Sequence, residues 1–209
     1  MKVLLVNGSP HKEGCTYTAL SEVAKTLNGL GIETEIFHIG SEPISGCRGC
    51  GACKKLKLGK CVVDDIVNEF AAKAKEADGF VFGSPVHYAS AGGTLVAFMD
   101  RLFYSSGKDT MRLKPAAAIA SARRAGTTAT LDIINKYFTI SEMPVVSSRY
   151  WNMVHGSTPA DVAKDEEGLA TMRVLGRNMA YLLKAIDAAK NAGIPLPEEE
   201  PGVRTNFIR

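Results

Sequence analysis

Two groups of residues have the types and spacing to do chemistry. Cys47, Cys50, Cys53 and Cys61 stand at C-x2-C-x2-C-x7-C, four of the five cysteines within 15 residues. Such clustering in a cytosolic chain reads as metal or redox chemistry before a disulfide framework. Three close thiolates can reach three irons of one [4Fe–4S] cube, and the stretch Lys54–Lys60 lets Cys61 close the shell. Lys54, Lys55, Lys57 and Lys60 would offset the negative charge of four thiolates. Zinc fits less well, because it favours two separated C-x2-C pairs. Free thiols that pair on oxidation are the plain alternative.

The second group lies in Lys2–Thr16. An apolar run, Val3–Val6, stops at Asn7-Gly8, and an amphipathic pattern begins at Thr16. Strand, tight loop and helix aim backbone N–H groups at an anion. Ser9, Thr16 and Thr18 add hydroxyl donors, and His11 and Lys12 add charge or further donors. The expected ligand is a cofactor phosphate. The loop lacks both G-x-x-x-x-G-K-[ST] and G-x-G-x-x-G, and an ordinary capped turn would share much of its composition.

The elements that must position these residues follow from the apolar patterning. Strands are expected at Val3–Val6, Glu33–Ile39, Gly79–Gly83, Ala116–Ala120 and, shorter, near Pro144–Ser147. Helices are expected at about Thr16–Leu30, from Asp64-Asp65 onward, Thr94–Leu102, Thr128–Phe138 and Glu166–Ala192. The strands are mostly continuous apolar runs, as in a parallel sheet covered on both faces. The spacing predicts an α/β three-layer αβα fold with a five-stranded parallel sheet. It occupies one domain over 1–195, with a cysteine-rich insertion at about 40–63 and a surface tail at 196–209. Ligands of such sheets bind at the carboxyl ends of the strands, where strand order reverses. The loops after the first, third and fourth strands are therefore the candidates.

The net charge of +3, with scattered basic residues, argues against a nucleic-acid partner. No apolar run approaches the roughly 18 residues of a membrane span. The first strand begins almost at once, which argues against a signal peptide and for a cytoplasmic protein.

The loop after the third strand, Ser84–Gly93, repeats the G-S-P opening. Pro85 fixes φ, so Val86, His87 and Tyr88 are expected over the carboxyl edge, where a flat ring could rest. These two G-S-P motifs, the second continuing to Leu95 and Phe98-Met99-Asp100-Arg101, resemble the NADPH-dependent FMN reductases of flavodoxin-like fold. The cysteine spacing followed by Val62-Val63-Asp64-Asp65 resembles the iron–sulfur flavoprotein branch. The resemblance covers about residues 1–140. It implies strand order 2-1-3-4-5, FMN as cofactor and NAD(P)H as co-substrate. By position, Ser9, His11, Cys15 and Thr16 would contact the phosphate. Pro85, Val86, His87 and Tyr88 would line the isoalloxazine, and Ser121, Arg124 and Gly126 its other edge. The chain departs from the family with His11 where Arg is usual, Cys15 where Asn is common, and Ser121-Ala122 where Gly-Gly often stands.

The expected activity is electron transfer from reduced nicotinamide through FMN to a small-molecule or protein acceptor. Flavin chemistry needs no side-chain acid or base, so no catalytic residue is assigned. An electron carrier passing single electrons between proteins is the alternative that the cysteines favour, and a cofactor-free redox-sensing module built on Cys47–Cys61 leaves the three loops unexplained. The resemblance implies a homodimer or homotetramer.

Overall fold

The computed structural model describes residues 1–200 together with Gly202, Val203, Thr205 and Phe207, the Asp109 side chain apart. Its strands are β1 (Lys2–Asn7), β2 (Glu33–His38), β3 (Gly79–His87), β4 (Ser90–Ala91), β5 (Ala116–Ala122) and β6 (Met153–His155). The helices are α1 (Cys15–Gly29), α2 (Ala52–Lys55), α3 (Ile66–Glu76), α4 (Gly93–Leu102), α5 (Lys108–Met111), α6 (Thr127–Ile140), α7 (Pro159–Val162) and α8 (Glu166–Asn191). Phe103–Gly107 continues α4 as a π-helical turn.

Five strands pair in parallel in the order β2-β1-β3-β5-β6, and β4 folds back antiparallel on the end of β3. Setting that hairpin strand aside, this is the expected order 2-1-3-4-5. Alternate residues of each strand face opposite layers. Leu4, Val6, Phe80 and Phe82 pack under α3, α4 and α6, where Phe70 lies 5.4 Å from Phe98. Val3, Leu5, Val81 and Ile119 pack under α1 and α8. Burial on both faces is why the central strands carry no polar alternation. Gly176 lets α8 close on α1, since a Cβ there would stand 2.9 Å from the Thr26 side chain.

Most element ends shift by one or two residues, and two regions differ further from the sequence reading, the edge strand and the end of β3. The strand expected at Pro144–Ser147 reduces to one bridge, Val145 with Ala116, and the edge strand is Met153–His155. Pro144 has no N–H to give a ladder. The segment holds the start of β5 through Ala116 N–H to Pro144 O and Val146 N–H to Ala116 O, then leaves. The chain returns at Asn152, whose carbonyl accepts from Ala120 N–H at 2.9 Å. The third strand runs to His87, and Ser84–Gly93 is a hairpin, not a loop. Its turn residues Tyr88 and Ala89 both have positive φ, at 50° and 56°. That matches the twist of a two-residue hairpin turn.

Residues 196–200 are exposed, as are Val203 and Phe207, and Arg112 Nη2 donates to Pro197 O. Gly202 and Thr205 are exposed too, and positions 201, 204, 206, 208 and 209 of the expected tail lie outside the described residues. Among the described residues no helix is long and apolar enough to cross a membrane.

Candidate functional site

The loop after β1 is folded by one buried side chain. Asn7 Oδ1 accepts from Ser9 N–H at 3.1 Å, and its Nδ2 donates to Lys12 O at 3.0 Å. His11 N–H donates to Ser9 Oγ, which leaves the Ser9 hydroxyl proton free for a ligand. The ring of His38, at the end of β2, meets Ser9 O at 2.8 Å. The loop ends at Gly14, which caps α1 without a side-chain hydrogen bond, and the first turn of α1 carries no acid. The first N–H groups of α1 therefore lack intrahelical partners and face the positive end of the helix dipole.

The other two loops close on the first. Gly8 N–H donates to Gly83 O at 2.9 Å, and a Cβ on Gly8 would lie 2.8 Å from that carbonyl. Ser84 Oγ accepts from Gly92 N–H and donates to Pro85 O, which fixes the neck of the hairpin. Pro85 registers with Ser121 across β3 and β5. Thr16 Oγ1 and Ser121 Oγ are 2.8 Å apart, both buried. Gly126, with φ of 93°, packs against Val86 and Ala89 so closely that a Cβ would stand 2.8 Å from Val86 Cγ1. A crevice of about 80 Å³ between β1 and β3 is lined by Gly8, Pro10, His87 and Thr94, with Gly40 and Ser41 from the end of β2. It lies at the strand-order reversal where such sheets bind ligands.

Most of the expected residues are thus gathered at one edge, though not all in the expected posture. Ser9 faces the uncapped end of α1. Thr16 turns its hydroxyl down to Ser121, so its N–H is what it offers to an anion. His11 and His87 are exposed on the rim, and the Tyr88 ring stands in solvent. Arg124 keeps an exposed side chain and uses its carbonyl to hold the His155 ring at 3.1 Å. Cys15 points away, its Sγ toward Gly156 O at 3.7 Å. Burial pushes the Cys15 thiol above its ordinary pKa, with Asp161 adding to the rise and a backbone hydrogen bond opposing it. That environment disfavours the Cys15 thiolate.

The second site is a cavity of about 300 Å³ lined by all four clustered cysteines, with Arg48, Arg101 and Tyr104. Cys53 is buried in α2, Cys61 is half-buried, and Cys47 and Cys50 are exposed; all are free thiols. Gly49 and Gly51, with φ of 62° and 67°, provide the left-handed turns between them. Asn68 of α3 holds Cys61 by both backbone groups: its Oδ1 accepts from Cys61 N–H and its Nδ2 donates to Cys61 O, each at 2.9 Å. Arg101 of α4 forks onto Asp65, with Nη1 to Oδ2 at 2.5 Å and Nη2 to Oδ1 at 2.9 Å. Asp65, itself the cap of α3, raises the Arg101 pKa most, and the neighbouring Cys61 adds to the rise. Among the described residues no three His, Cys, Asp or Glu side chains converge closely enough to share one metal ion. No preformed site for zinc or for a cluster is therefore gathered there; what suits a [4Fe–4S] cube is the donor set, four thiols walling one cavity.

Asn7, Asn68 and Arg101 carry these sites, and composition did not single them out. Asn7 ends a buried strand, Asn68 sits on the inward face of a helix, and Arg101 belonged to a motif without an assigned role. A polar residue at an apolar helical position was the available signal for Asn68.

A model of the family described as NADPH-dependent FMN reductase matches residues 1–158. The chain belongs to that family. Within this family of reductases, the chain is 35% identical over 193 residues to an iron–sulfur flavoprotein of Methanocaldococcus jannaschii, covering 89% of this chain and 99% of that one. It is 32% identical to an FMN-dependent NADPH-azoreductase of Staphylococcus saprophyticus over 58% of this chain and 61% of that one. Among solved structures it is similar to a flavodoxin from the domain Archaea, with a TM-score of 0.58 at 17% identity over 88% and 99% of the two chains. The fold of this reductase-family member is therefore flavodoxin-like.

Proposed function

We propose that the protein is an FMN-dependent oxidoreductase that takes electrons from reduced nicotinamide and delivers them to a small-molecule or protein acceptor. The observation that carries this reading is that the loops after β1, β3 and β5 are tied together at one sheet edge, through Gly8 to Gly83, Thr16 to Ser121 and Gly126 to Val86, beside an uncapped helix N-terminus. Bound FMN would supply hydride acceptance and onward electron delivery. The chain's own residues hold and orient it. The Ser9 hydroxyl and the N–H groups of Cys15 and Thr16 would hold the phosphate, with His11 at the rim in place of the more usual arginine. Pro85, Val86 and His87 would form one wall for the ring, and Ser121, Arg124 and Gly126 its far edge. The close packing of Gly8 on Gly83 and of Gly126 on Val86 gives these walls fixed spacing. The exposed Tyr88 ring can cover the flavin or meet a second copy of the chain, consistent with a homodimer or homotetramer.

The test is the visible spectrum of freshly purified protein, followed by anaerobic addition of NADH and NADPH. Flavin absorbance that bleaches with either nicotinamide supports the reductase. A protein that binds no FMN would lose this reading.

The cysteine cavity favours a second role on the same chain, an iron–sulfur flavoprotein in which Cys47, Cys50, Cys53 and Cys61 hold a [4Fe–4S] cluster. A relative matched over 99% of its own length carries that name. A cluster would add one-electron exchange, which suits a carrier between protein partners. Iron and acid-labile sulfide in anaerobically purified protein test it, and flavin without either rejects it.

A further inference from the structure

Arg101 is 2% exposed, yet the guanidinium is only partly satisfied. Its Nη1 donates to Asp65 and, at 3.5 Å, to Ser45 O; its Nη2 donates to Asp65 and, at 2.9 Å, to Val63 O. Ser45 precedes Cys47 and Val63 follows Cys61. One side chain from α4 thus fastens both ends of the cysteine segment. The remaining donor, Nε, is fully buried and has no partner. Arg101 lines the cavity that the four cysteines wall and neighbours Cys61. A buried N–H left unmade costs about 1–3 kcal/mol, more on a charged group, so an orphan donor at a cavity wall points to an acceptor inside.

We propose that Arg101 is a positioning residue for the cluster, fastening the cysteine segment and presenting its Nε–H and buried charge to a cluster sulfur. The inference rests on the iron–sulfur reading above and adds a determinant of the potential that no cysteine supplies. Hydrogen bonds to the sulfurs and local charge set cluster potentials. The reduced cluster carries one more negative charge than the oxidised one, so a buried cation and donor favour reduction.

The experiment compares wild type with Arg101→Met, both purified without oxygen, carrying FMN and reconstituted with ferrous iron and sulfide. FMN, iron and sulfide are counted, and the cluster midpoint is read by spectroelectrochemistry. The expected result is unchanged FMN and a midpoint lowered by at least tenfold in equilibrium constant, about 59 mV for one electron. Arg48→Gln, an exposed arginine on the same cavity, shifts it less because solvent screens that charge. A retained cluster whose midpoint moves less than twofold overturns the proposal. Wild type that takes up no iron or sulfide overturns the cluster reading and this inference with it, and that is seen before any variant is compared. Should Arg101→Met lose FMN through misfolding, Asp65→Asn/Arg101→Met removes the unpaired carboxylate and is read by the same threshold.

Discussion

The hydroxyls of Thr16 and Ser121, 105 residues apart in sequence, meet at 2.8 Å. They tie the loop after β1 to the end of β5, and neither has water as an alternative partner, since both residues are at most 4% exposed. Thr16→Val keeps the shape and leaves the Ser121 hydroxyl unpaired, so it should destabilise by about 1–3 kcal/mol. Adding Ser121→Ala removes the orphan and should recover part of that loss. Urea unfolding of the two single variants and the double variant checks it; simple additivity would show that the pair does not interact.

Phosphate recognition should be separable from ring recognition. Apo-protein is expected to bind FMN at least tenfold more tightly than riboflavin, which has no phosphate. Ser9→Ala removes a free hydroxyl donor from the anion loop, and a hydrogen bond to a charged group contributes about 1.5–3 kcal/mol. The variant should weaken FMN by that amount and leave riboflavin unchanged, as read by flavin fluorescence titration. Equal weakening of both ligands would move Ser9 from the phosphate to the ring.

Gly126 carries two constraints at once. Its φ of 93° is a left-handed conformation, and a Cβ would stand 2.8 Å from Val86 Cγ1 and 2.9 Å from the Ala89 backbone. Gly126→Ala should therefore destabilise by about 1–3 kcal/mol and lower flavin affinity, because it pushes the third loop off the hairpin. Thermal unfolding and the FMN titration together check this, and a variant as stable as wild type would show that the loop yields freely.

The alternation of strands and helices and the three loops are legible in the sequence because each depends on local signals: apolar runs, G-S-P turns and helical periodicity. The strand order follows only from the family resemblance. What the sequence hid depends on partners far along the chain. Nothing near Arg101 announces that Asp65, Ser45 and Val63 surround it. Tyr88 and Ala89 form a turn with positive φ but lack the Asn-Gly or Asp-Gly signature, so the hairpin read as a loop. The Pro144–Ser147 and Met153–His155 segments are both short and apolar enough for an edge strand. Hydrogen bonding to opposite ends of β5, not composition, decides which one pairs.

Asn68 anchors the cysteine segment through its amide alone. Besides Cys61, its Nδ2 donates to Val63 O at 3.1 Å and to Asp64 Oδ1 at 3.2 Å. Asn68→Leu keeps the approximate volume, removes every one of these donors together with the acceptor of Cys61 N–H, and leaves two carbonyl oxygens unpaired. A loss of about 2–4 kcal/mol is expected from the buried unpaired groups. Hydrogen exchange should show faster exchange of Cys61 N–H, and iron uptake on reconstitution should fall while FMN content holds. Unchanged exchange at Cys61 would show that the segment is held elsewhere.

Cys15 sets a pH dependence whose sign follows from burial. The folded protein holds its thiol above the ordinary value of 9.0, chiefly by desolvation. The folded state then keeps a proton that the unfolded state releases, so this contribution to stability is complete below pH 9 and declines as pH rises through the folded value. Wild type should lose stability above pH 9 more steeply than Cys15→Ala, as urea midpoints across pH 8 to 10 would show. At pH 8 the same burial leaves less thiolate to react. In cluster-free protein, Cys15 should alkylate with iodoacetamide more slowly than the exposed Cys47 and Cys50, read site by site by mass spectrometry. Faster labelling at Cys15 would mean that the N-terminus of α1 activates the thiol, and that the positive end of this helix outweighs its desolvation.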